Sequence, residues 1–139
     1  MVDLSTISLK SHAVIKKFSG IVTHSLPLNR AIEVREYLLE NGNSPYKKWF
    51  DALPATVAAK VSVALLRMEM GNLSSVKWFD GIGEFVLNTG PGYRIYLGKD
   101  GPALIVLLGG GTKHRQQKDI DQAKALFAHY KARKKNHRS

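Results

Sequence analysis

Ile32-Glu33-Val34-Arg35-Glu36-Tyr37-Leu38 alternates apolar and polar side chains, which predicts a strand with one buried face. Asn41-Gly42-Asn43 breaks the alternation, and Ser44-Pro45 then opens a helix. A hydroxyl there can cap the first turn, and proline fits the first helical position because its missing N–H has no partner to lose. Tyr46, Trp49, Phe50 and Leu53 follow at helical spacing. Pro54 interrupts, and Val57, Val61, Ala64, Leu65 and Met68 form a second stripe that Gly71 closes. Two amphipathic helices joined at one proline predict an antiparallel helical hairpin.

The period then shortens to two. Glu84–Asn88 and Tyr93–Leu97 flank Gly90-Pro91-Gly92, and Lys99-Asp100-Gly101-Pro102 makes the next turn. Ala103–Leu108 is apolar at every position, as a strand covered on both faces would be. Gly109-Gly110-Gly111 is expected to end it. A last helix is expected from Asp119, with Ile120, Ala123, Phe127 and Tyr130 inside, acids in its first turn and Lys131 and Arg133 near its last. The sum is an α+β fold: an N-terminal strand, a helical hairpin, a three-stranded antiparallel sheet and a C-terminal helix. Residues 1–28 show no clean period and are expected to form an extension, partly disordered. Residues 29–131 make the domain, and 132–139 a basic tail.

A chain of 139 residues suits one domain and needs no cross-link to hold a core. It has no cysteine, which removes disulfides, thiolate metal sites and thiol nucleophiles and suits a reducing cytoplasm. The apolar run Ala103–Leu108 falls far short of the ~20 residues that cross a bilayer. The first twenty residues mix Asp3, Lys10, Lys16 and Lys17 with short apolar pieces, unlike a signal peptide. A cytoplasmic protein without membrane contact is expected. Lysine and arginine number 21 against 11 acids, a formal charge of +10, and such a field attracts polyanions, nucleic acid first among them. Much of the excess lies from Lys113 onward.

Five scattered histidines show no metal-ligand spacing, no serine sits in a Gly-x-Ser-x-Gly turn, and the glycine runs lack the P-loop pattern. No metal or cofactor is expected. The remaining chemistry is cationic. Arg94 and Tyr96 share one face of their strand, where an open arginine could clamp a phosphate and a tyrosine stack a base. Arg94 could instead pair with Glu84 or Glu36, with Tyr96 as packing. Lys113-His114-Arg115 follows the glycines at a strand end, where flexible backbone lets cations approach a phosphate, and an imidazole can exchange protons near neutrality. Lys118, Lys131 and Arg133 could continue the contact along a phosphate backbone. Whether Arg94 and Lys113 share a face depends on strand register.

Phe79-Asp80-Gly81-Ile82-Gly83-Glu84, Gly90-Pro91-Gly92-Tyr93-Arg94-Ile95-Tyr96, Leu107-Leu108-Gly109-Gly110-Gly111-Thr112-Lys113, Asp119-Ile120 and Ala123 resemble the addiction-module killer proteins. These form a phage Gp49-like branch of the RelE/HigB toxin superfamily, and the resemblance covers about residues 31–131. It implies helices packed on a twisted antiparallel sheet, cleavage of messenger RNA on the ribosome, and a co-encoded antitoxin that carries a helix-turn-helix. It further implies that Arg94 meets the scissile phosphate and that Lys113 is the basic residue after the central strand. The expected reaction is metal-free: the 2′-hydroxyl attacks the adjacent phosphate, Arg94 and Lys113 stabilise the charge, and His114 serves as general acid. Arg115 completes the site, and Tyr96 orients a base. The family commonly reads Glu-Leu-Arg where this chain has Glu84-Phe85-Val86, so one cation is missing. A ParE-like inhibitor of DNA gyrase is therefore a second expectation, and a non-catalytic nucleic-acid-binding regulator a third.

Overall fold

The computed structural model describes residues 9–11 and 31–138. Its elements run β1 (Leu9–Ser11), β2 (Glu33–Tyr37), α1 (Pro45–Asp51), α2 (Ala55–Glu69), β3 (Lys77–Phe79), β4 (Ile82–Leu87), β5 (Tyr93–Lys99) and β6 (Leu104–Thr112). A single 3-10 turn (Lys113–Arg115) then leads into α3 (Gln116–Arg138). Apart from β1, the extension expected over residues 1–28 lies outside the described residues. The basic tail expected from residue 132 continues α3 as far as Arg138.

The α+β class stands, but the sheet is larger than expected and mixed. Six strands lie in the order β1-β2-β6-β5-β4-β3. β2 runs parallel to β6, and every other neighbouring pair is antiparallel. The three-stranded antiparallel sheet read from the sequence is therefore only its β4–β5–β6 part. β2 adds to it because its alternation supplies Val34 to one face and Tyr37 to the other. β3 joins through the Asp80-Gly81 turn, where both residues take positive φ (50° and 84°), the twist that tight hairpins favour.

α1 and α2 cover one face of the sheet and α3 the other. Ser44 caps α1, its Oγ accepting from the Lys47 amide at 3.0 Å, with Pro45 in the first turn. Tyr46, Val57, Val61, Leu65 and Met68 from these helices meet Val34, Ile95, Leu97, Ile105 and Leu107. On the far face Ile120, Ala123, Phe127 and Tyr130 meet Tyr37, Ile82, Tyr96, Val106 and Leu108. β6 thus feeds both cores by alternation, as its unbroken apolar run implies.

The glycine triplet does not end β6. Gly109, Gly110 and Gly111 pair in order with Tyr96, Ile95 and Arg94, and Leu108 bulges out of the ladder just before them. Close approach explains the glycines. A Cβ on Gly110 would run into the Trp49 indole, and one on Gly111 into the Asp119 carboxylate. α1 and α3 therefore settle directly on bare strand backbone. Because β6 continues to Thr112, only the 3-10 turn separates strand from helix, and α3 starts at Gln116 rather than Asp119.

Candidate functional site

The start of β5, the end of β6 and the first turn of α3 meet at one corner of the sheet. Arg94 pairs across the strands with Val86 on one side and Gly111 on the other. Two residues past Gly111, Lys113 leaves the ladder, its amide donating to Pro91 O at 3.4 Å. The space that a side chain on Gly92 would fill is flanked by Arg94 Nη1 at 3.1 Å and Lys113 Cβ at 3.7 Å. The register therefore brings Arg94 and Lys113 to the same corner. Lys113, His114 and Arg115 are all exposed on the 3-10 turn, and Lys118 is exposed one turn further on.

Arg94 itself is not an open cation. It is 9% exposed, and its Nε lies 3.4 Å from Glu84 Oε2. Its Nη1 donates to Gly92 O at 2.6 Å, which ties the guanidinium to the β4–β5 turn. Of the two partners considered from the sequence, Glu84 is the one found. Tyr96 is 1% exposed and cannot stack a base on an open sheet face. Its hydroxyl donates to Glu84 Oε2 at 3.1 Å, and Gln116 Nε2 reaches the same oxygen at 2.9 Å. Burial first, and the Glu84 charge second, push the Tyr96 hydroxyl well above the usual phenol range. One buried carboxylate thus gathers a guanidinium, a phenol and an amide from β5 and α3.

The basic residues further along α3 part company. Arg133 is turned inward: Nη1 donates to the Tyr37 hydroxyl at 3.0 Å and to Leu38 O at 2.8 Å, and the guanidinium lies over the Tyr37 ring. It clamps the helix to the end of β2, so the sequence reading of Arg133 as a nucleic-acid contact is corrected. Lys131 stays exposed beside the Phe127 ring. It lies at the far end of the helix from Lys113 and does not join the corner.

Sequence reasoning passed over Gln116 and Asp119 as site residues. Asp119 sits over the backbone of Gly111, and its carboxyl is pushed above the usual aspartate range by burial, against the opposing pull of Arg115 and Lys118. The signal for it was the glycine at 111, whose missing side chain leaves room for that carboxylate. Among the described residues, no group of three or more His, Cys, Asp or Glu is placed to hold a metal ion. No helix among them is long and apolar enough to cross a membrane.

No family model matches the chain, and no solved structure matches it. It is similar to an uncharacterized protein of Haemophilus influenzae, 40% identical over 83 residues that cover 58% of this chain and 84% of the relative.

Proposed function

The chain belongs to the family of this Haemophilus influenzae protein, and for it we propose a role as a RelE/HigB-like toxin that cuts messenger RNA on the ribosome. One observation carries the reading: the end of β6 delivers three exposed, potentially cationic side chains, Lys113, His114 and Arg115, beside the turn that Arg94 braces. Cations held on short, well-anchored backbone stabilise a phosphorane without reorganising when charge develops. In the proposed reaction the 2′-hydroxyl loses its proton to water and attacks the adjacent phosphorus. The 5′-oxygen leaves with a proton from His114. Lys113 and Arg115 hold the non-bridging oxygens. Arg94 acts through them as a positioning residue, since its bond to Gly92 O fixes the turn that Lys113 faces. The sparse site leaves alignment of the attack to the ribosome, a geometric task worth several kcal/mol. The protein then acts in the cytoplasm and is held in check by an antitoxin with a helix-turn-helix.

Expression in growing cells tests this. Wild type arrests growth and leaves new 5′ ends inside transcripts by primer extension, and Lys113→Ala abolishes both. Arrest with intact transcripts and broken DNA identifies a gyrase poison instead. A second reading, a non-catalytic RNA-binding regulator, draws on the burial of Arg94 against Glu84. It predicts salt-sensitive RNA binding with neither arrest nor new ends.

A further inference from the structure

Between α1, the glycine stretch of β6 and the first turns of α3 lies a cleft of about 360 Å³. That is the lower end of the range for small-molecule sites, room for a single base and not a strand. Its lining combines features that suit a planar, polar-edged ligand. Gly109 and Gly110 supply bare backbone, and nothing stands within 4 Å of where a Gly109 side chain would be. Trp49 forms an aromatic wall, Lys48 is exposed on the α1 side, and Asp119 and Gln122 supply polar groups from α3. Tyr96 lies in the floor, so the cleft adjoins the Glu84 cluster and the cationic corner.

No hydrogen bond from the described residues reaches the Asp119 carboxylate, although it is partly buried. A half-buried carboxylate without donors is costly, and burial already pushes its proton affinity up. A ligand with two adjacent N–H groups would relieve it by a bidentate contact. Among the four RNA bases only guanine presents two such donors side by side, at N1 and N2. Adenine and cytosine pair one donor with an acceptor, and uracil sets one donor between two acceptors. Gln122 can meet the neighbouring carbonyl, the Trp49 indole borders the base, and Lys48 can meet a phosphate.

We propose that this cleft is a guanine site, with Trp49 against the base and Asp119 bidentate to its Watson–Crick edge. In the reaction it would hold a guanosine beside the phosphate at Lys113. That placement rests on the nuclease reading, whereas guanine binding itself is measured without cleavage.

The chain has two tryptophans, so Trp78→Phe leaves Trp49 as the sole indole. Titrating this variant with GMP, AMP, CMP, UMP and inorganic phosphate reads the site by fluorescence. Saturable quenching is expected with GMP, roughly tenfold or more tighter than with AMP, and none with phosphate. Asp119→Asn should weaken GMP by a similar factor and leave AMP where it was. Backbone amide shifts of Gly109 and Gly110 in the unsubstituted chain provide a second readout that does not depend on the Trp78 change. No saturable response to any nucleotide, equal response to all four, or a guanine preference that survives Asp119→Asn overturns the proposal. A chain that binds GMP but leaves RNA whole loses only the nuclease reading. One that cuts RNA without binding GMP loses only this site.

Discussion

Glu84 is the residue on which the corner turns. Its side chain is 5% exposed and that of Arg94 11%, so the pair meets largely away from water. Arg94→Ala should destabilise the fold by roughly 3 kcal/mol, measured by urea unfolding, because it leaves the buried carboxylate with only its neutral donors, Tyr96 and Gln116. Glu84→Gln combined with Arg94→Met should recover much of that loss, since a neutral, apolar replacement avoids the desolvation both charges suffer. This bears on function as well: absence of toxicity in Arg94→Ala could follow from unfolding alone, so exposed Lys113 makes the cleaner probe. Asp119 gives a pH signature. Its raised affinity for a proton means that the folded state binds that proton more tightly than the unfolded chain does. The associated stability is complete below the ordinary value of 3.8 and is lost as pH rises through the raised one. Asp119→Asn, permanently neutral, should therefore gain thermal stability relative to wild type as pH climbs from about 4, with no difference in more acidic solution. A constant difference across the range would refute the burial of that carboxyl.

At the scale of elements, β6 departs furthest from what its residues suggest. Three glycines in a row normally mark the end of a strand, since glycine weakens strand pairing. Here β5 offers partners as far as Thr112, and Trp49 and Asp119 need the space that side chains would take. Gly110→Ala should cost about 1–3 kcal/mol by overpacking and shift the Trp49 emission, which denaturant titration and fluorescence would both show. The capped helix at Ser44-Pro45, the stripe of α2, the doubly covered run Ala103–Leu108 and the inner face of α3 could all be read locally. Each depends only on neighbours a few positions away. The parallel pairing of β2 with β6, the register that sets Arg94 beside Gly111, and the inward turn of Arg133 onto Tyr37 could not. They join residues distant in sequence, and nothing in the spacing specifies which strand lies beside which. Lys113, His114 and Arg115 could be singled out as exposed cations at a strand end. That Tyr96 is buried follows only once α3 is laid over its face of the sheet.

Across the whole molecule, a formal charge of +10 makes association with RNA strongly dependent on salt. Each phosphate neutralised on a single strand should contribute about 0.7 to the slope of log K against log salt. Lys113→Ala with Arg115→Ala should lower the slope by that amount for each phosphate left without its cation, measured by filter binding or anisotropy over a salt series. Arg133→Ala should leave the slope unchanged and speed amide exchange at the end of α3, because its guanidinium holds Tyr37 and Leu38 and not a ligand. The described surface thus divides into cations that support the fold, such as Arg94 and Arg133, and cations that stand free at the junction of β6 and α3.

Phosphate chemistry at that junction is what the toxin reading rests on, and the ends of cut RNA report it directly. Purified protein added to programmed ribosomes should leave fragments with 2′,3′-cyclic or 3′-phosphate ends and 5′-hydroxyls, with Lys113→Ala inert. Intact message, fragments with 5′-phosphates, or equal cutting by a folded Lys113→Ala protein would contradict it.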